Sequence, residues 1–230
     1  MSISKKKKNM KTEIDFNKSF KVEDAVVTLK KFSSPKFDES VDLAIVLGID
    51  PKKSDQLVRG VMTLPKGMGK SVKIAAFVTE VESVNAKNAG ADIIGDDKLI
   101  EDIKKGEKIN FDKCVASPEM MAKLGVLGQI LGPKGLMPNP KLGTVSKDIT
   151  QAIKNIKAGQ TEYKTDKGGI VQAAVGKLSF KPEEISKNVK YFYQELNKSK
   201  PTTSKGIFIK RIFLSSTMGP GLKIDMNSVM

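Results

Sequence analysis

Between residues 72 and 157 the sequence repeats a short apolar run followed by a segment whose apolar residues have helical spacing. The run at residues 72–78 is apolar except at Lys73, which is typical of a parallel strand buried on both faces. Two of the helical segments end at Gly90 and Gly106, and glycine is a common residue just after a helix C-terminus. This alternation predicts a doubly wound parallel sheet flanked by helices.

The two ends of the chain follow another pattern. Apolar and polar positions alternate in the first of their predicted strands, so that its apolar side chains share one face and Asp42 lies on the other. Two strands separated by a glycine-containing turn at residues 166–169 are predicted to form a hairpin. The predicted strands are residues 41–49, 160–165, 170–175 and 206–214, and the amphipathic helices are residues 22–32 and 181–196.

An insertion is the simplest topology that joins the two patterns. Residues 1–67 and 159–230 then form one discontinuous α+β domain, with an antiparallel sheet and helices. Residues 68–158 form an α/β domain inserted into it. The connecting segments at residues 65–69 and 158–160 contain glycine or proline, and we interpret them as a hinge.

The charge of the chain indicates a polyanionic partner. Its formal net charge is +14 and its pI is about 9.6, which favours nucleic acid first and an acidic membrane surface second. Residues 1–67 and 159–230 together hold 26 lysines and arginines against 15 acidic residues, whereas residues 68–158 hold 14 against 11. The discontinuous domain is therefore the better candidate for the polyanion-binding surface. No segment is apolar over the ~20 residues that a membrane-spanning helix needs.

Few sequence features favour an enzyme. The chain has no histidine, the commonest general base, and its one cysteine, Cys114, excludes an internal disulfide and a cysteine metal cluster. Residues 67–71 resemble the end of a phosphate-binding loop, but Leu64 occupies the position of the first glycine and a strand follows. Asp96 and Asp97 suit a helix N-terminus better than an acid pair. We predict no catalytic residues, metal or cofactor; the alternative is a nucleotide-dependent enzyme using the α/β domain.

The basic residues favour folded RNA over a duplex groove. Only Arg59 and Arg211 are arginines, against 38 lysines, so base readout by arginine forks should be rare. Specificity would then come from backbone groups, hydroxyls and shape. Two polar segments suit this role if their strands share a sheet: residues 36–40, before the first strand, and residues 216–219, after the last. Phe37 could instead anchor the core, and the second segment could be an ordinary turn.

Residues 131–143 combine three glycines and three prolines with four apolar residues. This density of glycine and proline argues against a helix or strand, and the apolar residues argue against a flexible linker. We interpret the segment as a rigid loop with Lys134 and Lys141 pointing outward. On physical grounds alone a packed connection between elements is the favoured alternative.

Several long motifs resemble one family, the bacterial-type ribosomal protein L-one. They include Gly-Ile-Asp-Pro-Lys-Lys-Ser-Asp-Gln at 48–56 and Leu-Gly-Pro-Lys-Gly-Leu-Met-Pro-Asn-Pro-Lys at 131–141. Shorter ones are Val-Arg-Gly at 58–60, Leu-Gly-Gln at 127–129, Lys-Ala-Gly-Gln at 157–160 and Ser-Thr-Met-Gly at 216–219. The resemblance extends in register from about Phe20 to the end of the chain, and the lysines at 5–8 lie outside it.

The resemblance implies a split α+β domain and an inserted Rossmann-like, three-layer α/β domain that binds no dinucleotide. It implies that the free protein is a monomer. It also implies that the protein is a component of the large ribosomal subunit in the cytoplasm, where it contacts other ribosomal components. There it would bind the large-subunit rRNA to form the mobile stalk and assist release of tRNA from the exit site. It also implies repression of translation through the protein's own operon mRNA; a repressor outside the ribosome is a third hypothesis.

The resemblance also implies which residues contact RNA. They are Lys36, Phe37, Ser40, Asp166, Lys167, Gly168, Gln172, Thr217, Met218 and Gly219. Many family members have histidine where this chain has Gln172, which retains hydrogen-bonding capacity. We further expect Lys134 and Lys141, on the inserted domain, to face tRNA.

Overall fold

The computed structural model describes residues 10, 12–16, 18–33, 36–106, 109–204 and 206–229, so the lysines at 5–8 lie outside the described residues. The chain forms two compact units. We call Met1–Gly69 together with Thr161–Met230 the split unit, and Lys70–Gln160 the inserted unit.

From Val22 onward, the described residues form nine strands and seven α-helices, and Met10, Thr12 and Glu13 before them are also helical. The strands are β1 (Ser40–Leu47), β2 (Arg59–Thr63), β3 (Ile74–Phe77), β4 (Ile93–Gly95), β5 (Lys113–Ala116), β6 (Gln160–Lys164), β7 (Ile170–Lys177), β8 (Ile209–Ser216) and β9 (Leu222–Ile224). The helices are α1 (Val22–Lys31), α2 (Glu80–Ala89), α3 (Asp97–Lys105), α4 (Met121–Leu124), α5 (Gly128–Leu131), α6 (Ile149–Lys157) and α7 (Pro182–Lys198).

The split unit is built on a four-stranded antiparallel sheet with the order β7-β1-β8-β9. Every second residue of β1, from Val41 to Leu47, is buried, as the alternation predicts, and Asp42 is exposed on the other face. The buried face packs against α1 and α7 in one hydrophobic core. Both helices cover the same face, so neither α1 nor α7 covers the other face of the sheet.

Local sequence explains why α1 and α7 form. Helix α1 has Glu23 and Asp24 in its first turn and lysines in its last, which complements the helix dipole. Helix α7 starts with Pro182 in its first turn, and the Glu184 carboxylate accepts a hydrogen bond from the Lys181 backbone N–H at 3.0 Å. Its buried residues recur at helical spacing and include Val189. The core-facing side of each helix therefore follows directly from its sequence.

The inserted unit has a three-stranded parallel sheet with the order β4-β3-β5. Successive residues of the central strand β3 enter two different cores: Ala75 and Phe77 pack with α3, α4 and α5, whereas Ile74 and Ala76 pack with α2 and α6. Helices therefore lie on both faces of the sheet. This confirms the predicted fold class, in which one unit is three-layer α/β and the other is α+β.

The predicted hairpin of residues 160–175 is wrong. Strand β6 pairs with β2 in a separate two-stranded sheet, while β7 pairs with β1, and only the bridge Thr165–Val171 joins the two. The Thr165 hydroxyl accepts from the Val58 backbone N–H at 3.2 Å, and its backbone N–H donates to the Val58 carbonyl at 2.9 Å. The turn was identified correctly, but turn chemistry does not determine which strand each arm pairs with.

Two other local predictions are also corrected, and one strand was not predicted. The sequence Ser-Pro-Glu at 117–119 predicts a helix start capped by Ser117, but α4 begins only at Met121. The buried Ser117 hydroxyl has no hydrogen-bond partner among the described residues. Ile207 lies outside β8 and is 75% exposed rather than part of the strand's apolar face. Strand β9, with only three residues, was too short to produce a recognisable alternation.

The glycine- and proline-rich segment at 131–143 is folded against the inserted unit. Leu131 and Leu142 are buried in the inserted unit. A single 3₁₀ turn, Pro140–Leu142, forms in this segment, where the sequence predicted no helix. The Asn139 side chain accepts from the Lys141 backbone N–H at 2.9 Å, and the Cys114 thiol donates to the Leu136 carbonyl at 2.6 Å. The loop is packed, as the favoured alternative on physical grounds requires.

Candidate nucleic-acid interface

The two polar segments singled out in the split unit meet at one end of its sheet. The Ser40 backbone N–H donates to the Thr217 hydroxyl at 3.1 Å, and the Thr217 backbone N–H donates to the Ser40 carbonyl at 3.2 Å. The pairing arises because β1 and β8 are antiparallel neighbours, so that the start of one lies beside the end of the other. Residues 177 positions apart in sequence thus form one surface.

A buried carboxylate fixes the turn that follows β8. Glu39 is 1% exposed, and its Oε2 accepts from the Ser216 hydroxyl at 2.6 Å and from the Met218 backbone N–H at 3.2 Å. The Gly219 backbone N–H donates to the Ser216 carbonyl at 3.1 Å, and a side chain at Gly219 would collide with the Ser216 hydroxyl. The turn therefore presents Thr217 and Met218 in one conformation.

Two apolar side chains are exposed at this end of the sheet. Phe37 is 49% exposed and Met218 is 57% exposed. The alternative in which Phe37 anchors the core is therefore wrong. Lys36, also exposed, precedes it, and the Lys177 ammonium donates to the Ser40 hydroxyl at 3.1 Å. Apolar surface flanked by lysines, backbone groups and hydroxyls can bind a base or sugar and its phosphate together.

Asp166, Lys167 and Gly168 lie at the opposite end of β1. The Leu47 backbone N–H donates to the Gly169 carbonyl at 2.9 Å, which joins their turn to the far end of that strand. Eight residues of strand separate the two ends by ~23 Å. The structure therefore places the predicted contacts in two clusters on one sheet.

The Asp166 side chain holds its own turn together. Its Oδ1 accepts from the Gly168 backbone N–H at 2.8 Å and from the Ile170 backbone N–H at 2.9 Å. Lys167 is exposed at the tip of the turn. The carboxylate thus shapes the turn, and the lysine provides the charge that can reach a phosphate.

The face of the sheet that α1 and α7 leave uncovered connects the two clusters, and we call it the open face. Strand register places four rows of side chains across it, and Gln172 lies in the third row. From the Thr217 end to the Lys167 end, the rows are Lys177, Ser40 and Thr217; Ala174, Asp42 and Ser215; Gln172, Ala44, Phe213 and Lys223; and Ile170, Val46 and Arg211. Gln172 is exposed midway between the clusters, so its amide is available there.

The predicted RNA-contact residues did not include five residues of this surface. Glu39 and Ser216 position the turn but are buried, and nothing in the sequence distinguishes a buried glutamate before a strand from an exposed one. Arg211, Phe213 and Lys223 lie on the open face beside Gln172 or one row away. The alternation within β8 could have assigned Arg211 and Phe213 to that face, whereas Lys223 required β9 to be recognised.

Asp42 is the acidic side chain of the open face. Partial burial raises its pKa above the ordinary value, and the nearby positive charge of Lys177 opposes that rise. Its carboxylate is a hydrogen-bond acceptor, and its charge disfavours a phosphate in its own row. The two ends of the face are therefore better suited to the RNA backbone than the row containing Asp42.

Lys134 and Lys141, predicted to face tRNA, are exposed on the inserted unit. The turn containing Lys141 is capped by Asn139, whose backbone N–H donates to the Thr144 hydroxyl at 2.8 Å. Both lysines therefore extend from an ordered part of the loop. They belong to the other unit and are not part of the open face.

The inserted unit has a cleft of about 520 Å³ beside the C-terminal ends of its strands, where α/β sheets commonly bind ligands. The cleft is lined by charges of both signs, and the Lys123 ammonium lies 2.7 Å from the Asp97 carboxylate. Residues 67–71 lead into β3 and not into a helix, so they do not form a phosphate-binding loop. The described residues contain no cluster of three potential metal ligands and no helix able to cross a membrane.

Comparison with known proteins gives a consistent picture. The model of the Ribosomal protein L1p/L10e family matches residues 29–220. The chain is 49% identical over 227 residues to the Large ribosomal subunit protein uL1 of Mannheimia succiniciproducens and to that of Pasteurella multocida, with 99% of each chain covered. It is 48% identical to the protein of the same name from Haemophilus influenzae, again with 99% of both chains covered.

Proposed function

Since the chain belongs to the Ribosomal protein L1p/L10e family, we propose that its split unit binds large-subunit ribosomal RNA through the open face and its two end clusters. Membership of this family makes it a structural constituent of the large ribosomal subunit, located on the ribosome in the cytoplasm. The family is structural and not enzymatic, so we set aside the nucleotide-dependent enzyme.

One observation carries the RNA-binding proposal: the convergence of Ser40 and Thr217 above the buried Glu39 carboxylate. Two distant segments are held by hydrogen bonds so that Phe37 and Met218 remain exposed, although burying them would favour folding. Exposed apolar residues held rigidly beside lysines suit contact with sugars and bases. The predominance of lysine suits contact with phosphates.

A titration with deproteinised large-subunit rRNA tests this proposal. We expect log Kd to rise linearly with log salt, with a slope of ~0.9 or less per phosphate contacted, because binding releases counterions. An affinity independent of salt would contradict the electrostatic part of the proposal. Thr217→Ala and Met218→Ala should each weaken binding by ~1–3 kcal/mol without unfolding the protein, as the loss of a base or sugar contact does.

We include three specific roles of the protein in the same proposal. They are formation of the mobile stalk, release of tRNA from the exit site and repression of translation from its operon mRNA. Lys134 and Lys141 are the residues we assign to tRNA, and the double variant Lys134→Gln/Lys141→Gln should slow tRNA release while leaving rRNA affinity unchanged. Cosedimentation with ribosomal subunits distinguishes a ribosomal constituent from a repressor that acts only outside the ribosome. A protein found only in the free fraction would favour the repressor.

A further inference from the structure

A second concave surface lies beside the Lys167 turn, on the split unit. It is a pocket of about 470 Å³ lined by Pro51, Leu57 and residues 164–167. A volume in this range suits a small ligand or a single nucleotide. Its walls combine apolar carbon from Pro51 and Leu57 with the side chains of Lys164 and Lys167. Leu57 is 46% exposed, so a large apolar side chain faces solvent at the pocket wall.

The loop that carries this leucine is fixed by its own hydrogen bonds. The Gln56 side-chain carbonyl accepts from the Asp50 backbone N–H at 2.7 Å, and the Asp50 carboxylate accepts from the Lys52 backbone N–H at 3.1 Å. Directly after Leu57, the hydrogen bonds between Val58 and Thr165 join the loop to the strand on the other side of the pocket. The pocket is therefore preformed, and a ligand entering it would not have to order its walls.

The pocket lining carries the ammonium groups of Lys164 and Lys167 against the single carboxylate of Asp166, so its charge balance favours an anionic occupant. The Asp166 Oδ1 already accepts from the backbone N–H groups of its own turn. Among the described residues, no partner forms a hydrogen bond or ion pair with the ammonium group of Lys164 or Lys167, and both side chains are exposed. Neutralising those groups with phosphate would release counterions and favour binding. The apolar wall favours a ligand that carries a weakly polar part as well as a negative charge. A nucleotide has both, whereas a free phosphate has only the charge.

We propose that this pocket takes one extruded nucleotide of the bound RNA, with its base against Leu57 and Pro51 and its phosphate near Lys164. The proposal rests on the proposed function, since the occupant belongs to the RNA held on the open face. Lys167 is common to the pocket and to the end cluster of that face, so one strand can continue from one into the other. Leu57 and Lys164 thereby become specificity-determining residues outside the motifs of the first site.

Two variants with matched controls test the pocket. Leu57→Asn removes the apolar wall without adding charge, and Lys164→Gln removes one cation. Ile207→Asn changes another exposed apolar residue of the same unit, and Lys187→Gln changes an exposed lysine on α7, which packs against the opposite face of the sheet. All four are titrated with deproteinised large-subunit rRNA, and nucleotide flexibility is mapped chemically on each complex. A thermal melt of each variant establishes that it is folded.

We expect Leu57→Asn and Lys164→Gln each to weaken binding about tenfold, as loss of one base or phosphate contact does. Both should restore chemical reactivity at the same single nucleotide, and both controls should match the unsubstituted protein. A wild-type reactivity map and wild-type affinity for both pocket variants would overturn the proposal while leaving the first site intact. If the unsubstituted protein fails to bind the RNA, the proposed function fails, and the pocket proposal fails with it.

Discussion

At the scale of single residues, the buried carboxylate of Glu39 determines the conformation of an exposed turn. Glu39→Ala would leave the Ser216 hydroxyl and the Met218 N–H without their acceptor. We expect a loss of ~1–3 kcal/mol in the free energy of unfolding, together with weaker RNA binding, since an unsatisfied buried donor incurs its desolvation penalty. Glu39→Gln keeps an acceptor oxygen and should lose less. Urea denaturation and RNA titration measure the two effects.

Glu101→Ala, at an exposed position on α3, is the control for that substitution. If Glu39→Ala unfolds at the same urea concentration as Glu101→Ala, the carboxylate does not support the turn. Motifs in the sequence identified Thr217 and Met218 as candidate contacts, and both are exposed, while their contact with RNA stays a prediction. The buried residue beneath them could not be predicted, because its role depends on strand pairing 177 positions away.

At the scale of elements, Asn188 of helix α7 forms hydrogen bonds with the connecting segment at residues 65–69. This fully buried side chain donates to the carbonyls of Gly67 at 3.1 Å and Val175 at 2.8 Å, and accepts from the Lys66 N–H at 3.1 Å. Asn188→Leu fills the same space but leaves those three backbone groups unpaired. We expect a loss of ~2–4 kcal/mol in unfolding free energy, from the cost of unsatisfied buried polar groups.

Asn197→Leu provides the comparison, since Asn197 lies exposed on the same helix. Chemical denaturation of both variants measures the difference, and equal midpoints would show that the Asn188 hydrogen bonds contribute nothing net.

The helices and the faces of the strands were predictable because apolar spacing reports burial directly. The partner of β6 was not, because pairing with β2 rather than β7 depends on tertiary contacts such as those of Thr165 with Val58.

At the scale of the whole molecule, the two connections to the inserted unit contact each other within the split unit. The Thr161 hydroxyl donates to the Met68 sulfur at 2.9 Å, so both connections are anchored within the split unit itself. Replacing residues 70–160 with a short glycine linker should therefore give a folded protein that binds large-subunit rRNA within about tenfold of the full chain. A cooperative thermal melt and an RNA titration check this. An unfolded product would show that the split unit depends on the inserted one.

The uneven charge distribution and the two sequence patterns were enough to predict the fold class and to select the discontinuous domain as the better candidate for binding a polyanion. The pattern of motifs gave the family. The pocket beside Lys167 escaped prediction because its walls come from a loop near residue 57 and a strand near residue 164. No periodicity or motif spacing relates those positions, and only the folded chain places them together.

The thiol of Cys114 has a practical consequence for experiments on this molecule. It is the only cysteine in the chain, its hydrogen bond to the Leu136 carbonyl holds it inside the inserted unit, and burial raises its pKa to about 12. A thiol that is neither accessible nor ionised near pH 8 reacts slowly with maleimides and iodoacetamides. The unmodified protein should therefore take up almost no thiol label. A cysteine introduced at the exposed position of Ile207 would carry a single fluorophore without the need to replace Cys114.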